Sequence, residues 1–185
     1  GGTVWTPSGP VETSVCVRDG RIVALGVTGD AGEVIDCTGL TILPGVIDSQ
    51  VHFREPGLEH KEDLASGSRC AVLGGVTAVF EMPNTKPNTD SAYAVNDKLA
   101  RAKDRMWCDH AFYVGATNSN AADLAELERM PGTAGVKIFM GASTGDLLVS
   151  DDANLARVLA SGHRRVAIHA EDEFRMNDRE GERIA

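Results

Sequence analysis

Cysteine is scarce. The four in this 185-residue chain, Cys16, Cys37, Cys70 and Cys108, are scattered and include no C-x-x-C pair. That excludes a disulfide framework and a zinc knuckle and fits a reducing, cytoplasmic setting. Positive charge is also short: 18 Lys and Arg face 27 Asp and Glu, for a net charge of −9. A nucleic-acid surface needs a basic footprint, so nucleic acid is excluded as a partner. Small anions are not, because they need only one or two local cations. No apolar run approaches the roughly 20 residues of a membrane span, and no secretory signal pattern is present. No G-x-G-x-x-G follows the first strand after Pro44, and there is no G-x-x-x-x-G-K-[ST], which removes the main support for dinucleotide and phosphate-loop readings. What is there is a globular composition, 42% hydrophobic and 24% charged, long enough for one domain or part of a larger one.

The pattern changes at Pro44. Before it, "ETSVCVRDGRIVALG" places two alternating runs around Asp19-Gly20, a strong hairpin signal, and "GEVIDCTGLTILPG" continues in the same manner. Residues 1–44 are expected to form a small antiparallel β unit, and residues 45–185 a second region. There, short apolar segments at 46–53, 76–82, 109–115, 135–141 and 165–171 read as strands. Between them Leu64, Ala71 and Val72, then Ala92, Val95, Leu99 and Ala102, then Leu155, Val158 and Leu159 keep helical stripes. Asn120 and Ser150 are expected helix caps. Repeated β-α units imply a parallel sheet covered by helices, either an open doubly wound sheet or the first part of a (β/α)8 barrel. Both architectures put functional groups at the C-terminal ends of strands.

The strand ends carry the unusual residues. Side chains alternate across a strand, so Asp48, Gln50 and His52 share one face of "GVIDSQVHFREPG". Lys137 lies between Val136 and Ile138 near the end of the fourth strand, and His169 follows Ile168 at the end of the fifth. Singly, each has an ordinary explanation. A histidine ending a strand is often a hydrogen-bonded rim residue, and a lysine there can snorkel to solvent. A lysine buried among apolar neighbours is costly unless neutralised or paired. Three such groups at matching strand ends point instead to a divalent cation, for which imidazoles are good ligands. His60, His110 and His163 are expected on loops or helix ends. Glu171 and Asp172 would orient neighbours, Asp48 would sit behind the ligands or on a barrel floor, and Gly141, Ser143 and Gly145 would serve loop geometry.

Four segments in order, "PGVIDSQVHFREPG", "EMPNT" (81–85), "GVKIFMGASTG" (135–145) and "IHAED" (168–172), together resemble the dihydroorotases of the amidohydrolase superfamily over essentially the whole chain. The resemblance implies an α/β fold: a (β/α)8 TIM barrel of the amidohydrolase type with about its first five β-α units present, preceded by strands of a small β-sandwich. It implies a hydrolase that interconverts dihydroorotate and N-carbamoyl-aspartate in pyrimidine synthesis. It also implies one or two zinc ions. His52 corresponds to the second histidine of the H-x-H ligand motif, Lys137 to a lysine carboxylated by CO2 that bridges two metals, and His169 to the ligand on the fifth strand. Arg54 and Asn84 resemble the pair that grips the substrate's free carboxylate, the guanidinium matching it as a planar fork. Otherwise Arg54 would be a surface ion-pair partner of Glu55 or Glu59, and Asn84 a turn residue after Pro83. Hydantoinases and allantoinases resemble the chain in fold but usually lack the arginine two positions after the histidine. A homo-oligomer is expected, with aspartate transcarbamoylase as the candidate protein partner.

Two features depart from that pattern. The H-x-H position reads Gln50-Val51-His52, and an amide oxygen is a poor zinc ligand beside an imidazole. Three outcomes follow: a two-metal site with one ligand fewer, a one-metal enzyme, or a non-catalytic homologue that serves a partner. Second, five units are visible where a closed barrel needs eight. The family's remaining metal histidine and its proton-shuttling aspartate belong to later strands, so no catalytic residue is assigned within residues 1–185. The expectation is part of a longer chain, or a fold completed by another copy or fragment, inactive alone. "GGTVWT" reads as the inside of a strand, so a short piece is expected ahead of it.

Overall fold

The computed structural model describes residues 1–26, 29, 32–141 and 145–182. It comprises two compact units, Gly1–Gly45 and Val46–Ala185.

In the first unit, β1 (Gly2–Thr6) pairs antiparallel with β2 (Gly9–Thr13). A hairpin joins β3 (Val15–Arg18) to β4 (Arg21–Leu25). Its turn is Asp19-Gly20, with φ of 52° and 70°. Two consecutive positive φ values are what a type I′ turn requires, and such turns match the twist of paired strands. The short β5 (Thr41–Ile42) adds to β1 in parallel. The strand expected to continue through residues 33–40 does not form. Val34 and Ile35 are 82% and 76% exposed, so alternation there buries nothing. Instead the Asp36 carboxylate accepts from the Thr38 N–H and hydroxyl and closes a turn.

The second unit is built on β6 (Val46–Val51), β7 (Val76–Glu81), β8 (Asp109–Gly115), β9 (Thr133–Phe139) and β10 (Val166–His169). They form one sheet in sequential order, every neighbouring pair parallel. This is the partial wall of a half-barrel, with crossovers through α1 (Leu64–Leu73), α2 (Ala92–Ala102), α3 (Leu124–Leu127) and α4 (Asp152–Ser161). A short α5 (Glu173–Asp178) follows β10. Among the described residues no helix is long and apolar enough to cross a membrane.

Local chemistry sets the helix starts. Asp63 and Ser66 form a reciprocal capping box at α1, and Ser91 caps α2. The cap of α4 is Asp151 rather than Ser150, because the aspartate carboxylate reaches the Asn154 N–H at 2.9 Å. Asn120 caps no helix. Its side chain ties its own loop to the one before α2, accepting from the Thr117 N–H and donating to the Gly115 and Asp90 carbonyls.

One sheet face lies under the helices. Val114, Val136 and Ile138 pack with Val95, Leu124, Leu127 and Val158, and Val79 and Phe112 pack with Phe53, Leu64 and Ala102. The opposite face carries Phe80, Met82, Tyr113 and Ala167 and, by the same alternation, Lys137 and His169. Of the expected helical stripes, Ala92, Val72 and Leu159 are exposed, whereas Lys98 is on the buried side of α2. Phe53 enters the core directly over α1 at Gly67, where an added Cβ would lie 2.4 Å from the ring.

Candidate active site

β6 ends at Val51, so His52 opens a loop rather than closing a strand. Its Nδ1 lies 2.9 Å from the Asn84 Oδ1, in the loop after β7. A carbonyl oxygen only accepts, so Nδ1 carries the proton and Nε2 presents its lone pair. The half-buried imidazole titrates below the usual histidine range. Desolvation is the main cause, followed by the nearby Arg54 guanidinium. The contact with Asn84 opposes the shift, and Lys137 adds to it. His52 is therefore a neutral imidazole with a free nitrogen, the state in which histidine binds metal.

Arg54 has φ of 66° and is half-buried. It pairs with neither of the glutamates considered for it. Glu55 is taken by Arg105, through contacts of 2.7 and 3.0 Å, and Glu59 accepts from the Gly57 N–H at 2.8 Å. Arg54 instead acts on His52 and Glu81. The two site loops are also stitched together behind these side chains. The Lys86 N–H donates to the Pro56 carbonyl at 2.8 Å. Gly57, at φ 88°, passes so close that a Cβ would sit 2.1 Å from the Lys86 carbonyl oxygen, which only glycine allows.

Lys137 lies in β9, every residue of which is buried. Its Nζ is 4.9 Å from the centre of the Phe139 ring, and burial lowers its pKa. No carboxylate approaches it within ion-pair distance among the described residues. His169 ends β10 beside Phe139 in the ladder, and the two rings stack at 6.0 Å and 30°. The His169 Nε2 also lies 3.1 Å from the Glu171 Oε1. Phe139 thus touches both Lys137 and His169, while His52 feels the charge of Lys137 from the other side.

The remaining candidates fall as follows. Gln50 is exposed, and its N–H donates to the Asp48 carboxylate at 3.0 Å. Asp172 caps α5. His110 lies within β8 rather than on a loop, its ring 5.6 Å from that of Phe112, because the strand starts at Asp109. His163 follows α4 and donates its N–H to Glu128, and His60 is exposed. Gly145 opens a single 3-10 turn, and Ser143 lies outside the described residues.

Residues 41–175 match the amidohydrolase family. The chain belongs to that family. It is 40% identical over 179 residues to an allantoinase of Rubrobacter xylanophilus, an alignment covering 93% of this chain and 39% of that protein. It is 41% identical over 162 residues to a dihydroorotase of Halobacterium salinarum, covering 85% of this chain and 37% of that protein. In fold it resembles the L-hydantoinase of Arthrobacter aurescens, with a TM-score of 0.89 and 26% identity over 97% of this chain and 42% of that one. The chain therefore spans about two fifths of the length of these relatives.

Among the described residues, no three His, Cys, Asp or Glu side chains converge as a ready site for a divalent cation. Two imidazoles and one lysine are nevertheless suited to the role. His52 offers a free nitrogen. Lys137 is a buried amine of lowered basicity with no counter-anion among the described residues, and its carboxylation would replace a cation with an anionic ligand. Gln50 offers only an amide.

Two buried ion pairs beside the candidate site join quoted segments to α2 and the turn after it, which carry no motif. Lys98 and Glu81 are both fully buried and in contact, and Glu81 is pushed up to about 7, chiefly by burial and against the pull of Lys98. Glu55 is buried between Arg105 and the first turn of α1. The available signal was a charge on an apolar stripe, since Lys98 follows Ala94 and Val95 by four and three residues and precedes Ala102 by four.

Proposed function

We propose that this chain carries the metal-ligating and carboxylate-binding part of a zinc-dependent cyclic amide hydrolase that interconverts dihydroorotate and N-carbamoyl-aspartate. The observation behind it is the juxtaposition of Arg54, His52 and Asn84: a guanidinium with no carboxylate in ion-pair contact among the described residues, beside a neutral imidazole that is held by an amide. Hydrolysis adds water to the ring amide carbon and breaks its bond to nitrogen. His52, His169 and a carboxylated Lys137 are the proposed zinc ligands. The bound zinc would supply Lewis-acid polarisation of the amide carbonyl. Arg54 would hold the free carboxylate through its fork, and the Asn84 amide would serve both that carboxylate and the tautomer of His52.

The test is to assay the whole protein with dihydroorotate alongside metal analysis. The expected result is zinc-dependent turnover, reduced in Arg54→Ala by about 2–5 kcal/mol of carboxylate binding. A folded, zinc-loaded protein without turnover would reject the reading.

The 40% identity to an allantoinase over 93% of the chain favours a second reading, a related ring-opening hydrolase. In that case the Arg54→Ala variant keeps its activity, and allantoin is the better substrate. Gln50 favours a third, a metal-free subunit that stabilises aspartate transcarbamoylase; zinc near zero with co-purification of that partner would identify it.

A further inference from the structure

Lys98 and Arg101 in α2, and Arg105 just beyond it, are spaced three and four residues apart and so share one side of the helix. They reach carboxylates on both sides of the loop that carries His52 and Arg54. The Lys98 ammonium contacts Glu81 and donates to the Met82 carbonyl at 3.1 Å. Glu81 stands opposite Val51 in the β6–β7 ladder, and the Met82 N–H donates to the Val51 carbonyl at 2.9 Å. This sets the Glu81 carboxylate near the backbone N–H of Phe53, which opposes the upward push of burial on its pKa. Further on, Arg105 grips Glu55 with two nitrogens at 2.7 and 3.0 Å, and Arg101 approaches it at 3.9 Å. Glu55 also accepts from the Leu64 N–H at 3.1 Å, which ties the loop to the first turn of α1. Both chain neighbours of Arg54, Phe53 and Glu55, are thus fixed from behind by one helix face.

Stability alone is a weak reason for the Lys98–Glu81 pair. Apolar residues of similar volume in place of a buried ion pair are often neutral or stabilising. What the pair provides is a fixed carboxylate near the His52–Phe53 peptide. Arg54 itself occupies the left-handed region, which a non-glycine residue keeps when its surroundings impose it.

We propose that α2 acts as a positioning rod: its Lys98–Arg101–Arg105 face, through Glu81 and Glu55, sets the backbone of Phe53–Glu55 and hence the directions of the His52 and Arg54 side chains. These are positioning residues. The claim about backbone geometry stands on the contacts of Glu55 and of Lys98 with Glu81 and on the nearness of Glu81 to the Phe53 N–H, whereas its consequence for substrate rests on the cyclic-amide reading.

In the whole protein, the double variant Glu81→Leu with Lys98→Met removes both charges while keeping volume. Glu81→Gln with Lys98→Met returns an acceptor to the Phe53 N–H. Amide hydrogen exchange at Phe53, the KM for dihydroorotate and the urea midpoint are measured for each. The Leu–Met variant is expected to keep a midpoint near wild type. Its Phe53 amide should exchange about tenfold faster, the scale of one ordinary hydrogen bond, and its KM should rise by a similar factor with a smaller change in kcat. The Gln–Met variant should recover most of both. Exchange at Phe53 unchanged in the Leu–Met variant would overturn the proposal, and so would faster exchange with an unaltered KM in an active enzyme. If the wild type hydrolyses no cyclic amide, the proposed function fails while the exchange comparison still decides the positioning. Should the Leu–Met variant not fold, Arg105→Met asks the same question at the half-exposed end of the rod. Faster exchange at Glu55 and Leu64 is expected, and wild-type rates there would overturn the proposal.

Discussion

His52 shows how much one side chain's environment decides. Burial and the adjacent Arg54 both disfavour its charged form, so its folded pKa lies below the unfolded value of about 6.5. Above that value neither state binds the extra proton, and the native contacts of His52 are retained in full. As pH falls through the window below about 6.5, the unfolded chain takes up a proton that the folded chain resists, and stability is lost. Chelator-treated wild type is therefore expected to lose more urea stability between pH 7.5 and 5.5 than His52→Gln does. Equal losses would show that His52 does not titrate low. At this scale the sequence was informative where polar residues stand at odds with a strand's apolar pattern. Gln50-Val51-His52 and Lys137 stand out that way, and the His52–Asn84 contact joins two segments singled out separately. Lys98 did not stand out, and although Glu81 and Glu55 lie in quoted segments, their buried pairing with α2 and Arg105 did not. A charged residue on a helix, at a turn or at a strand end reads as solvated unless its register against the apolar pattern is followed, and the partners lie 17 and 50 residues apart in the chain.

Among the elements, legibility followed burial. β8 runs over the expected 109–115 because its apolar run is bounded by polar residues and a glycine. β6 stops two residues short because Phe53 leaves the ladder to pack on α1. The 33–40 stretch alternates but finds no partner strand, and a pattern without burial does not hold a strand. The junction of α1 with the site loop offers a test in which two effects oppose each other. In an exposed helix interior, Gly→Ala gains about 1 kcal/mol of helix propensity. At Gly67 the new methyl would meet the Phe53 ring at 2.4–2.6 Å, and overpacking costs about 1–3 kcal/mol. Gly67 is buried and Phe53 is wedged in the core, so the clash should prevail. Gly67→Ala is expected to lower the thermal midpoint. A more stable variant would mean that the ring can yield, and that α1 does not fix the position of Phe53.

For the molecule as a whole, the sheet's sequential order leaves β6 and β10 as its edges among the described residues. β10 has a ladder partner only in β9, so one side of Val166–His169 offers unpaired backbone groups. The same region is apolar: Ile168 is 42% exposed, and Phe174 and Met176 in the following helix are 63% and 58% exposed. An uncovered parallel edge next to exposed apolar side chains is a template for pairing with another chain. The net charge of −9 opposes association, but it is screened beyond about 8 Å at physiological salt, while edge pairing acts at contact. Expressed by itself at physiological salt, the 185-residue chain is therefore expected to self-associate in light-scattering measurements, more strongly as salt is raised. Ile168→Lys sets a charge on that edge and should shift the population toward the monomer without altering the far-UV spectrum. A wild-type chain that stays monomeric at high salt would show that this edge is already shielded within the fold.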